Sequence, residues 1–191
     1  MLRVALKEWS IIVDRLLAGD QALLLRKGGI EETAGPGRFR LATPRFALFP
    51  AWLHQQPDRV KPKWRDQVET RTTEPAELTI LGLGEAAHIW QVPTRASLDA
   101  LDDLHCWTAD QLDQRWNYKP NQPLYLLAIR AYRLAHPKTI TNNPTYAGCK
   151  SWVELQPADA IDDGAVTAVN SDSTFSQIVS RVESTLVLAD K

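Results

Sequence analysis

The chain has 191 residues, 44% hydrophobic and 24% charged, with a net charge of −1. That is the composition of one ordinary globular domain, long enough to bury a single core. It excludes a bulk electrostatic pull toward nucleic acid or membrane, and no apolar run approaches the roughly 20 residues that span a bilayer.

In chain order, Arg3 to Leu17 has helical spacing, with Leu6, Trp9, Val13, Leu16 and Leu17 on one face. Gly19 suits a left-handed stop. Gln21 to Arg26 then reads as a short strand buried on both faces. Gly28 to Gly37 is a glycine-containing loop, and Phe39–Leu41 and Arg45–Phe49 are strands around Thr43-Pro44. Pro62 predicts the first position of a short basic helix. Leu78 to Trp90 is a long strand whose Gly82 and Gly84 predict a bulge or bend.

Thr94 caps a short helix ending near Leu101, and Thr108 to Gln111 is a capping-box signature for another reaching Trp116. Leu124 to Leu134, apolar on both faces, predicts a central strand. Ser151 to Leu155 is a closing strand. Ser173 caps a terminal helix with Phe175, Ile178, Val179, Val182 and Leu186 on one stripe. Strands mixed with short helices predict an α+β fold with a small curled or barrel-like sheet, flanking short helices and a C-terminal helix. Residues 1–156 are expected to form the single domain. Residues 157–191 are expected to add an acidic linker and the amphipathic helix.

Met1 to Glu8 does not read as a secretory signal, since Lys7 and Glu8 interrupt it. Cys106 and Cys149 show no close pairing, so a reduced, cytoplasmic chain is expected, with a disulfide between them as the alternative.

Several words of the sequence resemble one family. They are Leu6-Lys7-Glu8-Trp9, Leu24-Leu25-Arg26-Lys27-Gly28-Gly29-Ile30, Leu48-Phe49-Pro50 with His54-Gln55, Lys61-Pro62, His105-Cys106-Trp107-Thr108, and the run from Pro144 through Tyr146 and Trp152 to Val153. From about Ala5 to Leu155 the chain resembles the family called domain of unknown function 1802, which implies a shared fold and no particular activity. A second word, Gly19-x-Gln21-x-x-Leu24-x-Arg26, is similar to the G-x-K-x-x-E-x-R word of the ASCH branch of PUA-like barrels. Glycine and arginine stand in register, while Gln21 and Leu24 replace lysine and glutamate. This resemblance implies a PUA-like barrel that binds RNA or modified bases. Some such barrels hydrolyse small nucleoside-like amides, but the two replacements remove the acid/base pair that hydrolysis is expected to use and favour binding.

The candidate site residues are mostly cations. Residues 1–65 hold 12 Lys and Arg against 6 Asp and Glu, and residues 66–191 hold 10 against 17, an asymmetry that can mark a basic face. Arg26 offers a planar fork for phosphate or a guanine edge, Lys27 a point charge, and Gly28-Gly29 a bare backbone. Solvated charges at a strand end are the alternative. Lys61, Lys63, Trp64 and Arg65 interleave cations with an indole on which a base can stack, or else Trp64 anchors an amphipathic helix. Tyr146 and Trp152 are aromatics for a pocket wall or for the core. Arg130, in an apolar strand, must face a cleft or pair with Glu85 or Glu154.

The expected function is a nucleic-acid module for RNA or single-stranded DNA, or a nucleotide-binding one, with no membrane partner. An adaptor that holds a protein partner with the C-terminal helix is another reading. A third is a nucleotide or nucleic-acid hydrolase using Glu31 and Glu32 with a metal. No complete catalytic constellation is evident, so the balance leans away from an enzyme. No cofactor is implied. His54, His88, His105 and His136 stand at no metal-ligand spacing with one another or with the cysteines. Cys106 beside His105 is a weak nucleophile candidate, and His54 beside Gln55 a candidate ligand contact.

Overall fold

A computed structural model of the chain describes residues 1–27, 44–148 and 150–189. The first element is a strand, β1 (Val4–Trp9), which runs without a loop into helix α1 (Ser10–Ala18). This corrects the single helix expected from Arg3 to Leu17. β1 lies between two partners, parallel to β3 (Arg45–Ala51) and antiparallel to β6 (Trp152–Glu154), and Ala5 and Leu6 are fully buried. A segment covered on both faces loses the alternation that would mark it as a strand, and a short apolar run then mimics helical spacing. Gly19 ends α1 at φ 87°, its N–H turned back to the carbonyls of Arg15 and Leu16. The missing N-terminal cap of α1 is supplied from a distance: buried Gln55 accepts from the Ile11 N–H at 3.1 Å and donates to the Glu69 carbonyl at 2.8 Å.

Two long antiparallel strands carry the rest of the sheet, β4 (Glu77–Gln91) and β5 (Tyr125–Thr141). β5 extends past the expected end at Leu134 and tolerates Pro137. Between the pairs Ile80–Lys138 and Gly82–Arg133 it carries a bulge, so the absent proline N–H costs no ladder bond. The other edge of β5 takes β2 (Leu23–Arg26) along one half and β7 (Val166–Ala168) along the other. The path β2-β5-β4-β3-β1-β6, with β7 also on β5, is an open mixed sheet of seven strands among the described residues. It is the curled α+β sheet that was expected, and it does not close into a barrel.

The glycines of β4 are there for close approach. A Cβ on Gly82 would lie 2.4 Å from Leu17 Cδ2 and 2.4 Å from the Tyr132 carbonyl oxygen, and one on Gly84 would lie 2.7 Å from the Phe46 ring. Gly82→Ala should therefore cost about 1–3 kcal/mol through overpacking against a backbone atom that cannot swing away. Thermal unfolding checks this; an unchanged midpoint would mean that α1 does not press on the sheet as described.

Helix α2 (Pro62–Arg65) begins at Pro62, and α3 (Ala109–Asn117) is capped by Thr108, whose hydroxyl accepts from Gln111 N–H. The segment capped by Thr94 is 3-10 helical, Arg95–Leu104. In the terminal helix α4 (Asp172–Ala189) the capping oxygen is that of Ser171, which accepts from Thr174 N–H at 3.1 Å; Ser173 does not serve. Phe175, Val179, Val182 and Leu186 are buried on the larger core cluster. Arg181 forks onto Asp103 at 2.6 Å on both branches, and Arg130 pairs with Asp172 rather than with Glu85 or Glu154. Within 157–164, Ala160 and Ile161 are buried and Ile161 bridges Leu2. Among the described residues no helix is long and apolar enough to cross a membrane.

Candidate functional site

β1 and β3 are parallel, so both finish on the same side of the sheet. There Lys7, Glu8 and Trp9 meet Phe49 and Ala51 at the mouth of a cleft of about 590 Å³. Its other walls come from the turn at Leu53 and His54, from Arg115 of α3, and from the loop between β5 and β6. The volume lies in the range of small-molecule sites.

The cleft is built around one ion pair. Glu8 and Arg26 are each 7% exposed, and an Arg26 Nη2–H donates to Glu8 Oε1. They come from strands four places apart in the sheet order, which in a flat sheet would separate them by about 19 Å. Their contact means that the sheet curls on itself and that this pair bridges its opening. Arg26 Nη1 also reaches the Leu25 carbonyl at 3.2 Å, and its Nε finds no partner among the described residues.

Arg115 completes the centre. Burial pulls its guanidinium below the ordinary value, Glu8 holds it up, and Arg26 pushes it down. Its guanidinium also sits 5.3 Å from the centre of the Trp107 ring. Among the described residues no carboxylate stands within ion-pair distance of Arg115, so two guanidinium groups share the field of one carboxylate. Sequence reasoning missed Glu8 and Arg115. Glu8 had a signal, since a carboxylate inside an apolar strand must find a cation, but that signal vanishes when the strand is read as a helix.

The rim is held firmly. His54 is exposed at φ 65°, a conformation that costs a side chain with a Cβ about 1–2 kcal/mol. Its neighbours keep it there: Glu74 accepts from the N–H groups of Trp52 and Leu53 at 3.0–3.2 Å, and Gln55 is pinned as described above. Lys7 Nζ donates to the carbonyls of Tyr146 and Gly148. Tyr146 is fully buried, and its hydroxyl donates to Asp159 at 2.5 Å.

The other sequence candidates are dispersed. Lys27 Nζ donates to the Trp116 carbonyl and lines a separate cleft of about 380 Å³; burial lowers its pKa. Gly28, Gly29, Glu31, Glu32 and the expected strand at 39–41 lie outside the described residues, as does Cys149. Lys61 is occupied by the carbonyls of Asp102 and His105 and by the Asp102 carboxylate at 3.0 Å. Trp64 is a core anchor at 6% exposure, with Lys63 Nζ 3.8 Å from its ring centre, and Arg65 donates to the Pro57 carbonyl. Neither face of that indole is open as a stacking platform. Trp152 packs edge-on against Phe46 at 5.3 Å, away from the cleft, and Arg130 braces α4 against the sheet. Gln21 is a buried structural amide, accepting from Cys106 N–H at 3.1 Å and donating to the Leu23 carbonyl at 2.8 Å. Cys106 is fully buried and its thiol is pushed up to about 12 by burial, which is the setting of an inert thiol.

Fold and cleft together define an α+β domain with a charged, partly aromatic pocket at the ends of two parallel strands. A family model described as Domain of unknown function (DUF1802) matches residues 5–181, and the chain belongs to that family. No curated protein matches it. Among solved structures it is similar to two single mutants of the ASCH protein ZmASCH from Zymomonas mobilis. The serine-to-alanine mutant matches at 11% identity and TM-score 0.45 over 93% of this chain and 94% of that one. The tyrosine-to-phenylalanine mutant matches at 10% identity and TM-score 0.47 over 82% and 91%.

Proposed function

We propose that this protein is a nucleic-acid or nucleotide-binding module that receives RNA, single-stranded DNA or a nucleotide in the cleft beside Glu8, Arg26 and Arg115. The observation that carries this reading is the surplus of partly desolvated guanidinium charge on the cleft floor. Two arginines share one carboxylate there, and Arg115 keeps part of its surface open. A guanidinium in such a place presents a planar fork suited to phosphate oxygens or a base edge. Trp9 at the same mouth offers a half-buried indole for stacking.

Titration of the protein into labelled RNA and single-stranded DNA oligomers, and into nucleotides, at two salt concentrations tests the reading. Micromolar or tighter binding that weakens with salt is expected. Arg115→Gln should weaken it with the thermal midpoint retained, and Lys63→Gln, on the exposed side of α2, should leave it unchanged. Absence of binding to every oligomer and nucleotide at both salts would overturn the proposal.

A further inference from the structure

We infer that the cleft is a receptor for a phosphate monoester, the terminal phosphate of a nucleotide or of an oligonucleotide end, rather than a track for the inside of a strand. This rests on the binding reading above and adds to it which part of the ligand is held.

The first ground is charge. Among the described residues the lining carries Lys7, Arg26, Arg115 and Lys150 against Glu8 and Glu74, a formal surplus of two positive charges with histidine counted as neutral. An internal phosphodiester brings one negative charge. A monoester brings about −1.5 to −2 near neutral pH, with three acceptor oxygens. The monoester comes closer to that surplus than the diester does.

The second ground is unused donor capacity. Arg26 is nine-tenths buried and lines the cleft, and its Nε has no partner among the described residues. The Arg115 side chain makes no hydrogen bond among them, although it lies deep enough for burial to depress its pKa. Glu8 orients the Arg26 fork and offsets the repulsion between the two guanidinium groups. An arriving dianion supplies the charge that Glu8 alone does not. Charge-assisted bonds from guanidinium to phosphate are roughly twice as strong as neutral ones.

The third ground is His54. It stands at the rim in a left-handed conformation that glycine would adopt without strain, and bonds from Glu74 and Gln55 on either side keep it there. A strained side chain over-determined by its surroundings at a cleft edge is the pattern of a ligand contact. The imidazole supplies a further donor toward the phosphate.

The test compares one oligonucleotide sequence carrying a 5′-phosphate, a 3′-phosphate or hydroxyls at both ends, by fluorescence anisotropy, with a nucleoside 5′-monophosphate and its nucleoside as competitors. A phosphorylated end should bind about tenfold tighter or more than the hydroxyl form. Competition by the monophosphate and not the nucleoside would name free nucleotides as a source. Preference for the phosphorylated oligomer without that competition would name the oligonucleotide end. Arg115→Gln should erase the preference. His54→Gly, which relieves the positive φ, should hold or raise the thermal midpoint while reducing the preference. Equal, salt-dependent binding of all three oligomers would overturn the terminal-phosphate inference and leave the nucleic-acid reading standing. A preference untouched in both variants would overturn the site. No binding of any of them would sink both.

Discussion

Glu8→Gln is expected to destabilise the protein by about 3–5 kcal/mol, the cost of leaving a buried charge without its partner. The carboxylate is buried at the opening of a curled sheet, against Arg26 of a strand that no backbone ladder connects to its own. Its removal leaves Arg26 and Arg115 facing each other in a site where burial already disfavours the Arg115 charge. Arg26→Met alone should also be costly. The double change Glu8→Gln with Arg26→Met should recover most of the loss, because an apolar pair can replace a buried ion pair at little net cost. Urea unfolding of the four proteins gives the coupling directly. A loss below about 1 kcal/mol in Glu8→Gln would place the pair in the class of solvent-screened surface bridges and would contradict the packing described here.

Acid should weaken the fold through His105. The imidazole is 2% exposed. Burial, and then the Lys61 cation whose ammonium sits on the His105 carbonyl, lower its pKa from 6.5 to about 4, with Asp102 and the Leu98 backbone opposing. Above pH 6.5 the ring is neutral in both folded and unfolded chains and costs nothing. Between pH 6.5 and 4 the unfolded chain binds a proton that the folded one refuses, so stability falls as pH falls; below about 4 the loss is complete. The size is about 3 kcal/mol for a shift of this span. Unfolding free energies at pH 7 and pH 4 for the wild type and for His105→Gln isolate it, because the acid response of Asp103 and Asp163, whose pKa values are lowered, is common to both. Equal losses in the two proteins would remove His105 as the cause.

The two results address different parts of one molecule. Glu8 concerns the cleft that the proposed ligand enters. His105 and Lys61 concern the segment that ties α2 and the 3-10 helix to the core. Lys61 looked like a phosphate-binding cation in a basic run, but its donors are spent on two carbonyls and a carboxylate. A cation already bonded in this way has little left for a ligand, and sequence cannot tell a spent lysine from a free one.

By itself the sequence determined the punctuation of this protein: the stop at Gly19, the helix starts at Pro62 and Thr108, and the amphipathic stripe of α4. Each of these is local, set by φ, by a missing or capped N–H, or by a period within one element. Family membership was legible for the same reason, as short words along the chain. Only the tertiary structure decided that Val4–Trp9 is a strand, because its state is set by β3 and β6 on either side and not by its own pattern. The site was decided there as well. Glu8, Arg26 and Arg115 lie on three separate elements, and it is the curl of the sheet that brings two guanidinium groups to one carboxylate. Long-range pairing of this kind leaves no period in a sequence, so residue type marked Arg26 as a candidate anion contact but could not show that Glu8 and Arg115 share its site.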